Sequence, residues 1–479
     1  MIVLSSVANM KKILVSFSST VLAHFLFIIT LSAAELPTET AAFLAEKAKN
    51  QTAGYEILSS LTTEIGQRLH GTDAEKRAAE WAKKRFEAMH FDSVVIESFA
   101  LANGWVRGEE TAEIVSPTQQ KLLLTALGES VATPTGGIEA DVRIFRTYDE
   151  LLQAPLGSLS HKIAVVTQKM TITQDATGYG TAAKIRTQGP SEAAKRGAVA
   201  FLLRSLSTDE HRFPHTGVTH YNTNYPQIPA AALAAPDAEQ LERLDASGSV
   251  IRIHLTLTPT ITGPCTSQNV IAELKGREKP GEVVLLGAHL DSWDLGTGAL
   301  DDGAGVAIIM EAAQLIHQLP QHPRRTIRIV LYGSEEIGLN GGIAYAKTHT
   351  NELSKIVIAA EPDHGQGPIY RFQTGVKNTN DSTLNQIKRS LLPLGIIPGN
   401  NLSTGSSDIE PLFDAGVPVV TLEMDGTDYF NFHHTADDTL DKIVPSRLNQ
   451  STAAFVVFTY LAAELDGDYR AEPFASPIK

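Results

Sequence analysis

Val283-Val284-Leu285-Leu286-Gly287-Ala288-His289-Leu290-Asp291 is an apolar run that ends in a histidine and an acid. An unbroken run of this kind is the pattern of a strand buried on both faces, as in parallel sheets covered by helices. The chain beyond it keeps alternating. Ala304 to Leu319 reads as a helix, Ile327 to Tyr332 as a strand, Gly341 to His349 as a helix and Lys355 to Ala360 as a strand. Asp381 to Leu392, Val417 to Glu423 and Pro445 to Leu465 then give helix, strand and closing helix. The fold class is therefore α/β, a mixed, largely parallel sheet sandwiched by helices.

Upstream, the pattern from Glu39 to about His90 is helical, with Ala78, Trp81, Ala82, Phe86 and Met89 at helix spacing. Thr72 and Glu75 precede that helix as a capping box, and Ser93 to Phe99 is strand-like. Between about Ser116 and Pro259 the texture changes. Short strands such as Lys162 to Val166 and Gly197 to Leu203 alternate with loops and with helical stretches such as Ser191 to Arg196. This part reads as a smaller α/β domain inserted into the larger one. The expected organisation is a secretory segment over 1–34, an N-terminal part of the main domain over 35–115, the insertion over 116–260, and the rest of the main domain over 261–479. His211, His215 and His220 lie in a loop-rich part of the insertion and read as solvated loop histidines rather than a metal site.

Lys11 and Lys12 precede an apolar run from Ile13 to about Leu31, followed by Ser32-Ala33-Ala34. A basic start, an apolar centre and a small-residue exit describe a secretory signal cleaved near Ala34, with an uncleaved anchor helix as the competing reading. No later segment is apolar over a bilayer's width, so the expectation is a secreted or periplasmic protein with no stable membrane insertion after cleavage. Its single cysteine, Cys265, leaves no internal disulfide, so stability must come from the core. At 479 residues and 43% hydrophobic content, a large core is available. A net charge of −14 argues against a nucleic-acid partner. Four N-x-S/T triplets, at Asn50, Asn380, Asn401 and Asn449, matter only in a glycosylating host.

In open α/β sheets, ligands bind beyond the carboxyl ends of the strands. The first strand here exits into His289-Leu290-Asp291, the second into Glu335-Glu336, the third into Asp363, and the fourth leads through a loop to His433-His434. The loop after the first strand adds Asp301-Asp302-Gly303. A lone acid at a strand end is usually a helix cap or a solvated residue, but this succession points to one cleft. Converging carboxylates repel, and a bound cation offsets that repulsion. Mixed histidine and carboxylate ligation suits zinc, with manganese or cobalt as possible substitutes. There are more ligands than one tetrahedral zinc uses, which points to two ions sharing a carboxylate, as in hydrolases that clamp attacking and leaving atoms.

These segments resemble the M28 family of metallopeptidases and, within it, the carboxypeptidase Q group. The motifs are Gly287-Ala288-His289-Leu290-Asp291-Ser292-Trp293-Asp294, Gly298-Ala299-Leu300-Asp301-Asp302-Gly303-Ala304-Gly305, Gly333-Ser334-Glu335-Glu336-Ile337-Gly338-Leu339, Glu361-Pro362-Asp363 and Phe432-His433-His434-Thr435. Arg68-Leu69-His70-Gly71 and Trp105-Val106-Arg107-Gly108 resemble the group's N-terminal part, and Pro214-His215-Thr216-Gly217 its protease-associated insertion. The resemblance implies two zinc ions per chain, one held by His289 and Asp363, the other by Glu336 and His434, with Asp301 bridging. It makes Glu335 the general base that takes a proton from the metal-bridging water and passes it to the leaving amine. Asp291 fits an acid that orients His289. Asp302 is implied to hold a tight peptide geometry with Asp301, and His433 stands where a residue stabilises the oxyanion. Asp408 is left with two roles, loop support or contact with a substrate amine. Trp293 and Asp294 could line the cleft or pack.

The resulting expectation is a peptidase acting on a small peptide substrate, in particular unblocked dipeptides, with removal of N-terminal residues from longer peptides as the runner-up. A non-catalytic binding module on the same fold is the reading of another class, and the complete ligand set counts against it. A one-zinc amide hydrolase of the glutaminyl cyclase kind is the other enzyme reading. A homodimer is implied by the family alone.

Overall fold

The computed structural model describes residues 36–470, so the expected secretory segment over 1–34 lies outside the described residues. Two eight-stranded sheets organise the chain. At the centre of the first, Lys279–His289, Arg325–Tyr332, Ile356–Ala360 and Val419–Met424 run parallel. Antiparallel strands flank them, with Ser93–Val106 and Thr260–Leu274 on one side and Ile369–Gly375 on the other.

The apolar run at 283–289 is explained by burial on both faces. Val284, Leu286 and Ala288 join a core with the helices Ala304–His317 and Pro445–Glu464. Val283 and Leu285 face the other way, into a cluster with Tyr345, Ile409 and Leu412. Helix Ala304–His317 is buried along nearly its whole length because it lies between the sheet and the closing helix, and its sequence is accordingly apolar all round. Within it Glu311 is buried and accepts a hydrogen bond from the Gly54 N–H at 2.9 Å.

The second sheet is formed between residues 110 and 257, and its central strands Ile138–Phe145, Lys162–Val166, Ala200–Arg204 and Ala230–Leu233 are parallel. It is joined to the first by one antiparallel ribbon. Ser93–Val106 pairs with Thr260–Leu274 in the first sheet, and the same two chain segments go on to pair as Glu110–Ser116 with Arg252–Leu257 in the second. The junction is at Gly108, where a Cβ would lie 2.0 Å from the Thr258 carbonyl oxygen, so the crossing leaves no room for a side chain. The strand Glu110–Ser116, which precedes the expected boundary at 115/116, hydrogen-bonds within the second sheet.

Only half of the capping box at Thr72 forms. The Thr72 hydroxyl accepts from Glu75 N at 3.3 Å, but the Glu75 carboxylate turns inward to Gly71 N, at 2.6 Å, and to the Ser267 hydroxyl. Among the described residues no helix is long and apolar enough to cross a membrane.

Burial pushes Glu311 up to about 7 from an ordinary value of 4.5. Between those pH values the folded chain holds a proton that the unfolded chain has released, so stability falls as pH rises through this window. Glu311→Gln should remove that slope and raise Tm at pH 8 by roughly 1–3 °C. Thermal unfolding of both proteins from pH 4.5 to 8 checks this.

Candidate active site

His289 is the last residue of its strand and is buried. Its Nδ1 lies 3.1 Å from the Asp291 carbonyl oxygen. A carbonyl can only accept, so Nδ1 carries the proton and Nε2 presents a lone pair. That Nε2 is 3.2 Å from Asp301 Oδ1 and 3.5 Å from Asp363 Oδ1. His434 repeats the arrangement. Its Nδ1 donates to the Thr216 carbonyl at 3.2 Å, and its Nε2 is 3.1 Å from Asp301 Oδ2 and 3.0 Å from Glu336 Oε2. Asp301 thus turns one oxygen to each of two histidine–carboxylate groups.

In each group a nitrogen lone pair and carboxylate oxygens converge on one point, which is repulsive unless a positive charge sits there. Asp301 Oδ2 and Glu336 Oε1 are buried with no hydrogen-bond partner among the described residues. A proton on each ring is one remedy. Burial opposes it, yet Glu336 and Asp301 push His434 up to about 9, and Asp291, Asp301 and Asp363 raise His289 well above its ordinary value. Metal ions compete with protons for the same lone pairs, and imidazole nitrogen with carboxylate oxygen is a zinc donor set. Grouping by distance alone puts His289 with Asp301 and Glu336, His433 with Asp301 and His434, and Asp302 with His289 and Asp363. Asp302 is unsuited to ligation, because its oxygens accept from His289 N at 3.2 Å and Gly305 N at 3.0 Å. The Asp301–Asp302 peptide is cis.

Buried polar residues hold this cluster from behind. Asp291, fully buried, accepts from Glu335 N at 3.0 Å and Glu336 N at 3.4 Å, so it fixes the turn carrying both glutamates as well as the His289 ring. Asp438 accepts from Leu300 N at 2.6 Å and Asp301 N at 3.2 Å. The buried Arg68 guanidinium spans the carbonyls of Gly66, Leu290, Thr297 and Gly298, pinning the N-terminal segment to the loop that bears Asp301. The Ser407 hydroxyl donates to Asp363, and Asp408 accepts from Gly342 N at 2.9 Å, which gives Asp408 the loop-support role. Ser334 and His434 have φ of 60° and 61°, left-handed conformations that cost non-glycine residues about 1–3 kcal/mol and that the packing imposes at this site.

The cluster forms the floor of a cavity of about 270 Å³ lined by Asp301, Glu335, Glu336, Asp363, His433 and His434. Glu335 is half-buried, and burial, with Asp363 and Glu336 nearby, pushes its carboxyl well above the ordinary range. The His433 ring stacks on His434 with centroids 3.5 Å apart, and burial with the neighbouring imidazole keeps it well below its ordinary value. Three lining residues, Tyr179, Arg186 and Val218, come from the inserted unit. Nothing local in the sequence marks them, since a Tyr and an Arg seven apart on a helix are ordinary. Asp438 was also missed, although an acid four residues after His434 at a strand exit is the kind of signal already used.

Of the two roles open to Trp293 and Asp294, the structure shows packing, and they do not line this cavity. Trp293 is buried with its ring where a Gly128 Cβ would be, and Asp294 binds Arg107 through both oxygens at 2.8 Å. His215 is not a solvated loop residue, because it is buried against the backbone of His433, whereas His211 and His220 are exposed.

The sequence profile described as Peptidase family M28 matches residues 269–459. Mouse carboxypeptidase Q is 35% identical over 423 residues, covering 88% of this chain and 88% of its own. A crystal structure of a peptidase M28 precursor from Shewanella amazonensis SB2B is 44% identical, covers 93% of this chain and 99% of its own, and superposes with a TM-score of 0.89. BSAP, a zinc aminopeptidase from Bacillus subtilis, is 21% identical with a TM-score of 0.64 and covers 88% of this chain and 98% of its own, a likeness of fold alone.

Asp291→Asn leaves one acceptor oxygen where two backbone N–H groups need one each. About 10–100-fold should be lost in activity or metal retention. Steady-state kinetics with metal analysis of the folded variant checks this.

Proposed function

The chain belongs to peptidase family M28, and from that premise we propose that it is a co-catalytic dizinc exopeptidase acting on small peptides, unblocked dipeptides above all. The observation that carries the reading is the division of Asp301, with Oδ1 facing His289 and Asp363 while Oδ2 faces His434 and Glu336. One zinc would be held by His289, Asp301 and Asp363, the other by Asp301, Glu336 and His434. When bound, the pair supplies Lewis acidity to the scissile carbonyl and makes the attacking water more acidic.

The chain's own groups do the rest. Asp291 aims the His289 ring and fixes the Glu335–Glu336 turn. Glu335, half-buried beside the ligands and free of a cation of its own, takes the proton of the attacking water on its carboxylate and returns it to the leaving nitrogen. The neutral His433 ring lines the cavity and can donate to the developing oxyanion. Tyr179 and Arg186 from the inserted unit form part of the cavity wall and narrow the space over the cluster. The dipeptide preference follows the likeness to carboxypeptidase Q, and the cavity of about 270 Å³ is compatible with a small peptide.

Removal of N-terminal residues from longer peptides is the competing activity, and a chain-length series separates the two. Cleavage of a free dipeptide, but not of its N-acetylated form or of a pentapeptide, is the expected pattern. Preferred cleavage of the pentapeptide would overturn the dipeptide preference and leave the peptidase intact. Glu335→Gln should retain two zincs per chain and lose about 10²–10⁴-fold in kcat, while Asp301→Asn should weaken retention of both ions. Elemental analysis beside the kinetics checks both. Normal turnover in Glu335→Gln would remove this mechanism.

A further inference from the structure

Pro214-His215-Thr216-Gly217 belongs to the inserted unit, yet it is docked onto the loop that carries His433 and His434. Thr216 N donates to the His434 carbonyl at 3.0 Å, and the His434 ring returns a hydrogen bond from Nδ1 to the Thr216 carbonyl at 3.2 Å. His215, buried, packs against the His433 backbone. Resting on the two-ion reading above, we propose that this turn is a positioning element of the metal site. Through the Thr216 carbonyl, the inserted unit fixes the tautomer and direction of His434, so that one of the two ion positions is completed only across the junction between the two sheets.

Which imidazole nitrogen is free to bind a metal is decided by the hydrogen bond that the other one makes. His289 gets its acceptor from Asp291, two residues along the same chain segment, so that ligand is set up locally. His434 has no such local acceptor, and its φ of 61° leaves it in a conformation that needs outside support.

The turn is itself held firmly enough to serve as a reference. The Thr216 hydroxyl donates to the Ala126 carbonyl at 2.8 Å and accepts from Arg107 Nη2 at 3.2 Å. Arg107 also grips Asp294, in the loop between His289 and Asp301, so the turn and that loop share one guanidinium. Gly217 has a φ of +132°, and a Cβ there would come within 2.2 Å of Arg186 Nη1. Arg186 in turn donates from Nε to the Val218 carbonyl at 3.3 Å and from Nη1 to Tyr179 Oη at 2.8 Å. A side chain at 217 would therefore move either the Thr216 carbonyl or the wall of the cavity.

The test is zinc per chain, and its loss to a graded chelator, for the full-length protein and the variants Thr216→Val, Thr216→Ser and Gly217→Ala, with thermal unfolding to verify folding. Valine matches threonine in shape and lacks the hydroxyl that anchors the turn, while serine keeps it. The expected result is two zincs in the parent, with one of them held about 10–100-fold more weakly in Thr216→Val and Gly217→Ala and restored in Thr216→Ser. Unchanged retention of both ions in folded Thr216→Val and Gly217→Ala would overturn the inference alone. Fewer than two zincs in the parent would overturn the two-ion reading and this inference with it.

Discussion

The structure is organised around one carboxylate that serves two partners at once. Asp301 Oδ1 faces His289 and Asp363, and Asp301 Oδ2 faces Glu336 and His434. A buried anion flanked by further carboxylates is costly unless positive charge is supplied on both sides. His289, Asp301, Glu336, Asp363 and His434 come together there from five separate motifs of the chain. The parallel centre of the first sheet makes this possible by ending its strands at one level. His289 is level with Tyr332 in the register, and the chain leaves both strands toward the same side.

What converts strand ends into a site is a layer of buried polar residues. Asp291, Asp302, Asp438 and Arg68 spend their hydrogen bonds on backbone groups of the loops that bear the ligands. Such residues are individually destabilising to bury and collectively specify one loop geometry. Burial pushes Asp438 up to about 7 and Glu75, nearby in the N-terminal helix, up to about 8.

The main sheet and the exits that carry acids and histidines were legible because each rests on local pattern. A strand buried on both faces writes itself as an apolar run, and an acid or histidine at its end is read directly. The rest was hidden by its dependence on distant partners. The strand-like pattern at Ser93 to Phe99 does not show where the ribbon passes from one sheet to the other, so its junction at Gly108 carries no signature beyond a glycine. Ile369–Gly375 pairs antiparallel with Val419–Met424 and is only partly buried along much of its length, so it has no unbroken apolar run to mark it. His215 was misjudged because a histidine in a loop-rich segment is usually solvated, and only its contact with a segment more than two hundred residues away buries it.

The claim on which the account depends is that Asp301 bridges two ions. Anomalous diffraction at the zinc edge, from crystals of the zinc-loaded protein, addresses it directly. Two peaks on either side of Asp301, roughly 3.5–4 Å apart, one against His289 and Asp363 and the other against Glu336 and His434, are the predicted result. A single peak bound by only one of these groups, or a pair in which Asp301 contacts one ion alone, would contradict it.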